Sequence, residues 1–397
     1  MRRSLTLALF LAVTATALAQ PANAQQAGNP QSAPAGPALA TGNPQQEPSG
    51  EPVPKGGSGV TYGGEIDSKV QVDGVLPRGQ KAFAEIYAKS VATAYVNVGE
   101  HLSFRGEATY ERFRAQSSTT AFNSEGLYLS QLYATYSLGP VTAYAGKIHP
   151  RFSIGYDRVP GIYDTFANDY EQKERIGFGL LANIAPAWGR HILSGEAYFL
   201  DTSVLSHSVF STPNIGDASA LRAARFRKSQ GGPSNTQGFD SFDVALDGSR
   251  IPGLEKLRYH LGFTREGVSQ PGERTETGVT AAVSYEIRLT SRIFATPFME
   301  YAHFDNFAGA AGERRDYLIS AIEFDYRKYA LSLVAAPRRV GMGVEGGSAT
   351  HWDTQYSATL GYTIMPRLTA NVGHIKTRVA GQVTNVLGTA INYVLRF

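Results

Sequence analysis

The chain has no cysteine, which excludes both a disulfide framework and a thiolate metal site. Beyond its first two dozen residues it lacks any apolar run approaching the ~20 residues of a membrane-spanning helix. It also lacks a surplus of charge. The formal net charge is +3, too small to carry a nucleic-acid footprint. The eight histidines are scattered, with no i, i+4 pair or carboxylate spacing that suits a metal. The residues call for no cofactor, no metal and no nucleic-acid partner. Hydropathy nevertheless overlooks one membrane class, the barrel whose strands alternate between lipid and lumen.

The first residues, MRRSLTLALFLAVTATALAQPANAQ, have a basic start at Arg2 and Arg3. An apolar run from Leu5 to Ala19 follows, and then a small-x-small site at Ala22 to Ala24. This predicts a secretory signal peptide over residues 1–24, too short to be a membrane anchor. Its removal leaves a net charge of +1, because Arg2 and Arg3 are the only charges it holds. Residues 25–58 are rich in Pro, Gln, Gly and Ala, with almost no aromatic or β-branched residues. Such a segment buries too little apolar surface to offset its ordering entropy, and a disordered periplasmic linker is expected.

From Val60 onward the texture changes. The chain's 21 Tyr and 20 Phe fall into period-2 alternation broken by turn residues, the signal of half-buried strands. In HWDTQYSATLGYTI one face carries Trp352, Thr354, Tyr356, Ala358, Leu360, Tyr362 and Ile364. In KLRYHLGFTRE, Leu257, Tyr259, Leu261 and Phe263 alternate with Arg258, His260, Gly262 and Thr264. In LSFRGEATYER, Phe104 and Tyr110 share a face opposite Arg105, Glu107 and Glu111.

Tight junctions at Gly99-Glu100, Gly139-Pro140, Ala185 to Gly189, Thr290-Ser291, Arg327-Lys328 and Met365-Pro366 separate longer loops, notably Arg151 to Gln172 and Thr202 to Thr236. Short turns on one side and long loops on the other is the layout of an outer-membrane barrel with periplasmic turns. Strand centres near residues 90, 108, 132, 145, 179, 196, 243, 262, 282, 299, 319, 333, 358, 372 and 391 give fifteen strands. A chain with both ends in the periplasm needs an even number, and GVTYGGEIDSKVQV (Gly59 to Val72) supplies the sixteenth. The expected fold is all-β: a 16-stranded antiparallel transmembrane barrel over residues 59–397, wide enough for an aqueous channel.

The chain ends INYVLRF, in mid-strand, with Ile391, Tyr393, Leu395 and Phe397 on one face. Closure of a barrel requires the last strand to pair with the first, and Phe397 falls at the level of the periplasmic aromatic girdle. This ending resembles the C-terminal signal of Gram-negative outer-membrane barrels. The resemblance implies that the barrel-assembly machinery reads Tyr393, Leu395 and Phe397. AGKIHPRFSIGYDRVPGIYDTFANDYEQKERIGFG (Ala145 to Gly179) resembles the segment of porins in which a strand ends in Gly-Lys and the chain folds inward. The porin resemblance implies an outer-membrane location, a homotrimer, and a third loop that narrows the channel.

The candidate constriction residues are Asp157, Arg158, Asp164, Asp169 and Glu171, facing pore-wall residues Arg105, Glu107, Lys147, Arg175 and Arg258. Charged rings of this kind govern passage, although any water-filled barrel is lined by solvated charge. The fourth loop offers Arg222, Arg225, Arg227 and Lys228 as an external basic cluster. It could attract anions, grip lipopolysaccharide phosphates or simply be solvated. GMGVEG (Gly341 to Gly346) matches a dinucleotide fingerprint but lies between two strands, where no helix is expected to follow. The leading function is a non-enzymatic diffusion pore for small hydrophilic solutes. A barrel lipase or protease, or an adhesive barrel with a blocked lumen, are the alternatives.

Overall fold

The computed structural model describes residues 59–114, 117–184, 186–210, 221–344 and 347–397. The expected signal peptide and linker, residues 1–58, lie outside the described residues. Alternation produces strands here because each strand has a wet face and an apolar face. Among the described residues the long strands number sixteen. They are Val60–Pro77, Phe83–Val98, Leu102–Arg112, Glu125–Leu138, Val141–Ile148, Arg175–Ile184, Arg190–Leu200 and Ser241–Ser249, then Leu257–Glu266, Glu276–Tyr285, Ile293–Asp305, Glu313–Tyr326, Tyr329–Val344, Gly347–Met365, Leu368–Val379 and Gln382–Arg396. Each pairs antiparallel with its sequence neighbours. Two-residue pieces, Thr120–Ala121 and Ile287–Arg288, sit beside the long strands.

The last strand closes on the first in register, from Glu65 opposite Arg396 to Pro77 opposite Thr384. The ladder continues one step beyond the strand end. The Phe397 amide donates to the Gly64 carbonyl (3.1 Å), and the Gly64 amide donates to the Phe397 carbonyl (3.0 Å). Among the described residues no sheet edge is left open, as a sheet in lipid requires.

The two faces of the wall differ as the alternation predicts. Trp352, Tyr356, Leu360, Tyr362 and Ile364 are exposed on the outside, while Asp353 and Thr359 between them are buried. Around the barrel, Gln71, Asp73, Glu107, Glu196, Asp243, His260 and Glu300 are buried polar residues of the inner face. The tight turns hold residues in the left-handed region, Gly139 at φ 58° ahead of Pro140 and Arg327 at φ 55° among them.

Loop lengths are sorted less completely than the sequence suggests. The connections 113–124, 149–174 and 201–240 are long, but 345–346 and 380–381 are as short as the turns at the other end. The reason is strand length. Tyr329–Val344 and Gly347–Met365 run for 16 and 19 residues, so the chain gains height as hairpin rather than as loop.

Candidate functional site

The third connection at the loop end, residues 149–174, turns from the end of strand Val141–Ile148 onto the inner face of the wall. Pro150 has no backbone donor to continue the ladder. The segment then forms a single helical turn at Gly155–Arg158 and a 3-10 turn at Phe166–Asp169. Thr165 caps the latter, its hydroxyl accepting from the Ala167 amide (3.2 Å).

Apolar side chains seat the segment. Phe152, Val159, Phe166, Ala167 and Tyr170 are buried in one cluster with Ala302, Phe304, Phe307, Tyr317, Ile319, Val334 and Ala336. Tyr170 meets the Tyr317 ring edge-on at 4.8 Å, and Phe152 meets Phe304 at 5.5 Å. Aromatic pairs of this geometry add about 1 kcal/mol each to the area they bury.

Polar anchors run along the same seat. The Phe152 carbonyl accepts from Thr280 Oγ1 (2.6 Å) and lies 2.9 Å from His260 Nε2. Glu300 accepts from the Ile154 amide (3.0 Å) and the Tyr170 hydroxyl (2.7 Å). Tyr163 donates to the Gly373 carbonyl (3.1 Å), and Lys69 Nζ donates to the Ile162 carbonyl (3.1 Å). Gly262 makes room for the entry. A Cβ built there would lie 2.0 Å from the Phe152 carbonyl oxygen.

Charged groups gather where the segment meets the first two strands. Lys89 donates to the Tyr156 hydroxyl (2.6 Å) and pairs with Glu111 (3.5 Å), while Lys173 stands 4.0 Å over the Tyr156 ring and pairs with Glu171. Burial acts to raise the Asp164 carboxyl, but Lys89, Lys69 and Lys173 outweigh it and hold it below its ordinary range. Glu171 goes the other way: burial pushes it up to about 7 despite Lys173. Burial, and then the charge of Glu171, raise Asp157 well above the usual carboxylate range. The loop thus holds carboxyls of opposite tendency within a few residues.

Asp169 forms the second charged contact. It accepts from Arg338 Nη1 (2.5 Å) and the Tyr317 hydroxyl (3.1 Å), with Arg315 Nη1 at 3.8 Å. Arg338 also pairs with Asp353 and stacks 4.2 Å over Phe166. Arg315, Arg338, Lys69 and Lys89 are absent from the sequence-derived wall set. In RR at 338–339 only strand parity tells which arginine faces inward, and Arg339 goes outward to Asp316.

The expected wall residues divide. Glu107 is buried and accepts from Ser130 Oγ (2.8 Å); Arg105 stands opposite Tyr133 and Tyr95 in register. Arg175 donates to Glu266 (3.2 Å), and Arg258 lines a cleft beneath the loop. Lys147 lies elsewhere. It shares the outer face with Val141, Ala143 and Ala145, and is covered by the fourth loop. There it contacts Glu174 (2.8 Å), Asp201 (2.8 Å) and the Leu205 carbonyl (2.9 Å). Strand parity put this lysine outside the lumen, and the loop cover makes the position tolerable for a charge. Arg222 is also drawn in: it grips Glu174 through two nitrogens, each at 2.7 Å, and stacks 3.8 Å over Tyr128. Arg225, Arg227 and Lys228 remain on the surface side of that loop. In the GMGVEG segment, residues 345–346 lie outside the described residues, and a strand opens at Gly347.

His260 stands 2.9 Å from Asp247 Oδ1, a pairing familiar from hydrolytic sites. Its other nitrogen faces the Phe152 carbonyl rather than a hydroxyl nucleophile, and Asp247 also takes Arg151 (2.6 Å). The pair therefore serves to hold the loop. Among the described residues no cluster of three or more His, Cys, Asp or Glu is arranged to hold a metal ion.

No protein-family model matches the chain, and no curated protein sequence matches it either. Solved structures do. OprB of Pseudomonas putida, at high pH, aligns with TM-score 0.60 and 11% identity over 85% of this chain and 94% of its own. The outer-membrane channel DcaP of Acinetobacter baumannii gives 0.53 and 12% identity over 86% and 99%. OmpT, an outer-membrane protein of Vibrio cholerae in its trimer form, gives 0.51 and 9% over 86% and 100%. With identities this low the likeness concerns the fold, which is that of a closed, sixteen-stranded, porin-like outer-membrane β-barrel.

Proposed function

We propose that this chain is a porin of a Gram-negative outer membrane, a water-filled channel through which small hydrophilic solutes diffuse passively, narrowed by its third loop. The observation that carries the reading is the seat of residues 152–170 on the inner wall. A loop that spends its apolar side on the wall leaves charged groups to meet the water in the lumen. Sixteen strands alone enclose an aqueous channel, and ionised groups at a narrowing control what crosses. The likeness to DcaP, an outer-membrane channel, supports the same reading. The trimer form of OmpT supports a homotrimer. On this reading residues 1–24 are cleaved after export and 25–58 form a periplasmic linker. The assembly machinery reads Tyr393, Leu395 and Phe397, and Arg225, Arg227 and Lys228 face lipopolysaccharide or solutes outside.

Single-channel recording in a planar bilayer tests the proposal. The purified, folded protein should give discrete conductance steps. Deleting residues 156–168 should raise the unit conductance and admit larger uncharged solutes while leaving the barrel folded. Folded protein without conductance steps overturns the pore; unchanged conductance after the deletion overturns the narrowing.

A further inference from the structure

Beneath the third loop, toward the short turns, lies a cleft whose charge the pore reading leaves unused. Its roof is the start of the loop, with Arg151, Asp157 and Arg158; its floor is strand-end residues Arg190, Ser249, Arg258 and Ser284. Arg190 opens its strand, Ser249 closes the paired one, and Arg258 and Ser284 face each other next to the following turn. All four sit at the turn end of the barrel. The cavity is about 70 Å³. That is room for several waters, since one needs about 10–15 Å³ on the same measure, or for one carboxylate-sized group.

Four guanidinium groups and two carboxylates, Asp157 and Asp247, line this space. Arg151 is matched by Asp247 at 2.6 Å. Arg258 is exposed, and Arg190 Nη2 is a buried donor with no hydrogen-bond acceptor among the described residues. A buried guanidinium N–H without an acceptor costs free energy until something accepts from it. A planar carboxylate meets the forked geometry of arginine with two parallel hydrogen bonds, and the Ser249 and Ser284 hydroxyls add neutral donors. We propose that this cleft is a binding subsite for small carboxylate solutes, met just after the narrowing on the turn side of the loop. The inference names the solute class of the pore proposed above and rests on it. Arg190 and Arg258 are its specificity-determining residues: they compensate the anion while leaving the width of the passage to the loop.

Disodium succinate is the probe. Added from the turn side to a single channel conducting potassium chloride, it should interrupt the current in a concentration-dependent way, whereas equal 1,4-butanediol should not. The double variant Arg190→Gln, Arg258→Gln should lose at least tenfold in apparent succinate affinity. Arg190→Lys, which keeps the charge without the fork, should recover only part of it. Calorimetric titration of succinate into the detergent-solubilised barrel repeats the comparison without conduction. A barrel that conducts nothing yet binds succinate through Arg190 and Arg258 refutes the pore and keeps the subsite. Equal succinate interruption, or equal calorimetric affinity, in wild type and double variant overturns the subsite, with the heat-modifiable gel shift showing that both are folded.

Discussion

Glu171 shows what a single residue does inside this barrel. Its carboxyl is pushed from 4.5 up to about 7 by burial, so the seated loop binds that proton more tightly than a loop released to water. The stabilisation is fully present below pH 4.5 and is lost as pH rises through about 7. Raised Asp157 works in the same direction, while Asp164, held low by Lys89, Lys69 and Lys173, favours the seated loop above its ordinary range. Cleavage at exposed Arg158 by a trypsin-like protease reports release of the loop. The wild-type rate relative to Glu171→Gln should rise severalfold between pH 5 and pH 7.5, the ratio cancelling the protease's own pH profile. A constant ratio means that Glu171 does not govern the seat. The sequence gives this residue only as one of five charges on a loop. Its unusual tendency comes from burial in the folded barrel, which outweighs the opposing pull of Lys173 and of Lys89, the latter distant in the chain.

At the scale of the element, the loop is held by its fit to the wall more than by its own propensity. The single helical turn and the 3-10 turn are too short to persist alone. Gly262 is the most direct lever, because an added Cβ would sit 2.0 Å from the Phe152 carbonyl. Gly262→Ala should therefore break the hydrogen bonds from Thr280 and His260, at about 1 kcal/mol each, and raise protease cleavage of the loop about tenfold or more. Gly195→Ala is the control, since its nearest neighbour is Asp243 O at 4.0 Å. Equal cleavage in the two variants refutes the seat. The strands themselves were legible, since alternation like that of Trp352 to Ile364 has a period no helix shares. The seat was not legible, because nothing near Phe152 in sequence points to Thr280, His260 or Glu300.

For the whole molecule, closure is the decisive event. The final strand matches the first from Glu65 to Pro77, and Phe397 adds a last pair of hydrogen bonds to Gly64 while the residue stays 65% exposed. Phe397→Asp keeps those backbone bonds but places a charge in the interfacial girdle. It should lower the yield of heat-modifiable barrel in membranes severalfold, with denatured material accumulating in its place. Normal yield would show that the terminal aromatic is dispensable for assembly.

By itself the sequence determined the class, the number of strands and which face of each meets lipid, because these depend on period-2 patterning and on parity, both local properties. It also located the third long loop, since Pro150, Gly155, Pro160 and Gly161 interrupt any strand there. Only the tertiary structure decided where the charges meet. Lys147, placed by expectation on the pore wall, lies outside under a loop, and Asp169 finds Arg315 and Arg338 rather than Arg105 or Arg258. The physical reason is that pairs such as Asp169 with Arg315 and Arg338 join residues more than a hundred positions apart, and a one-residue change of parity sends a side chain to the opposite face.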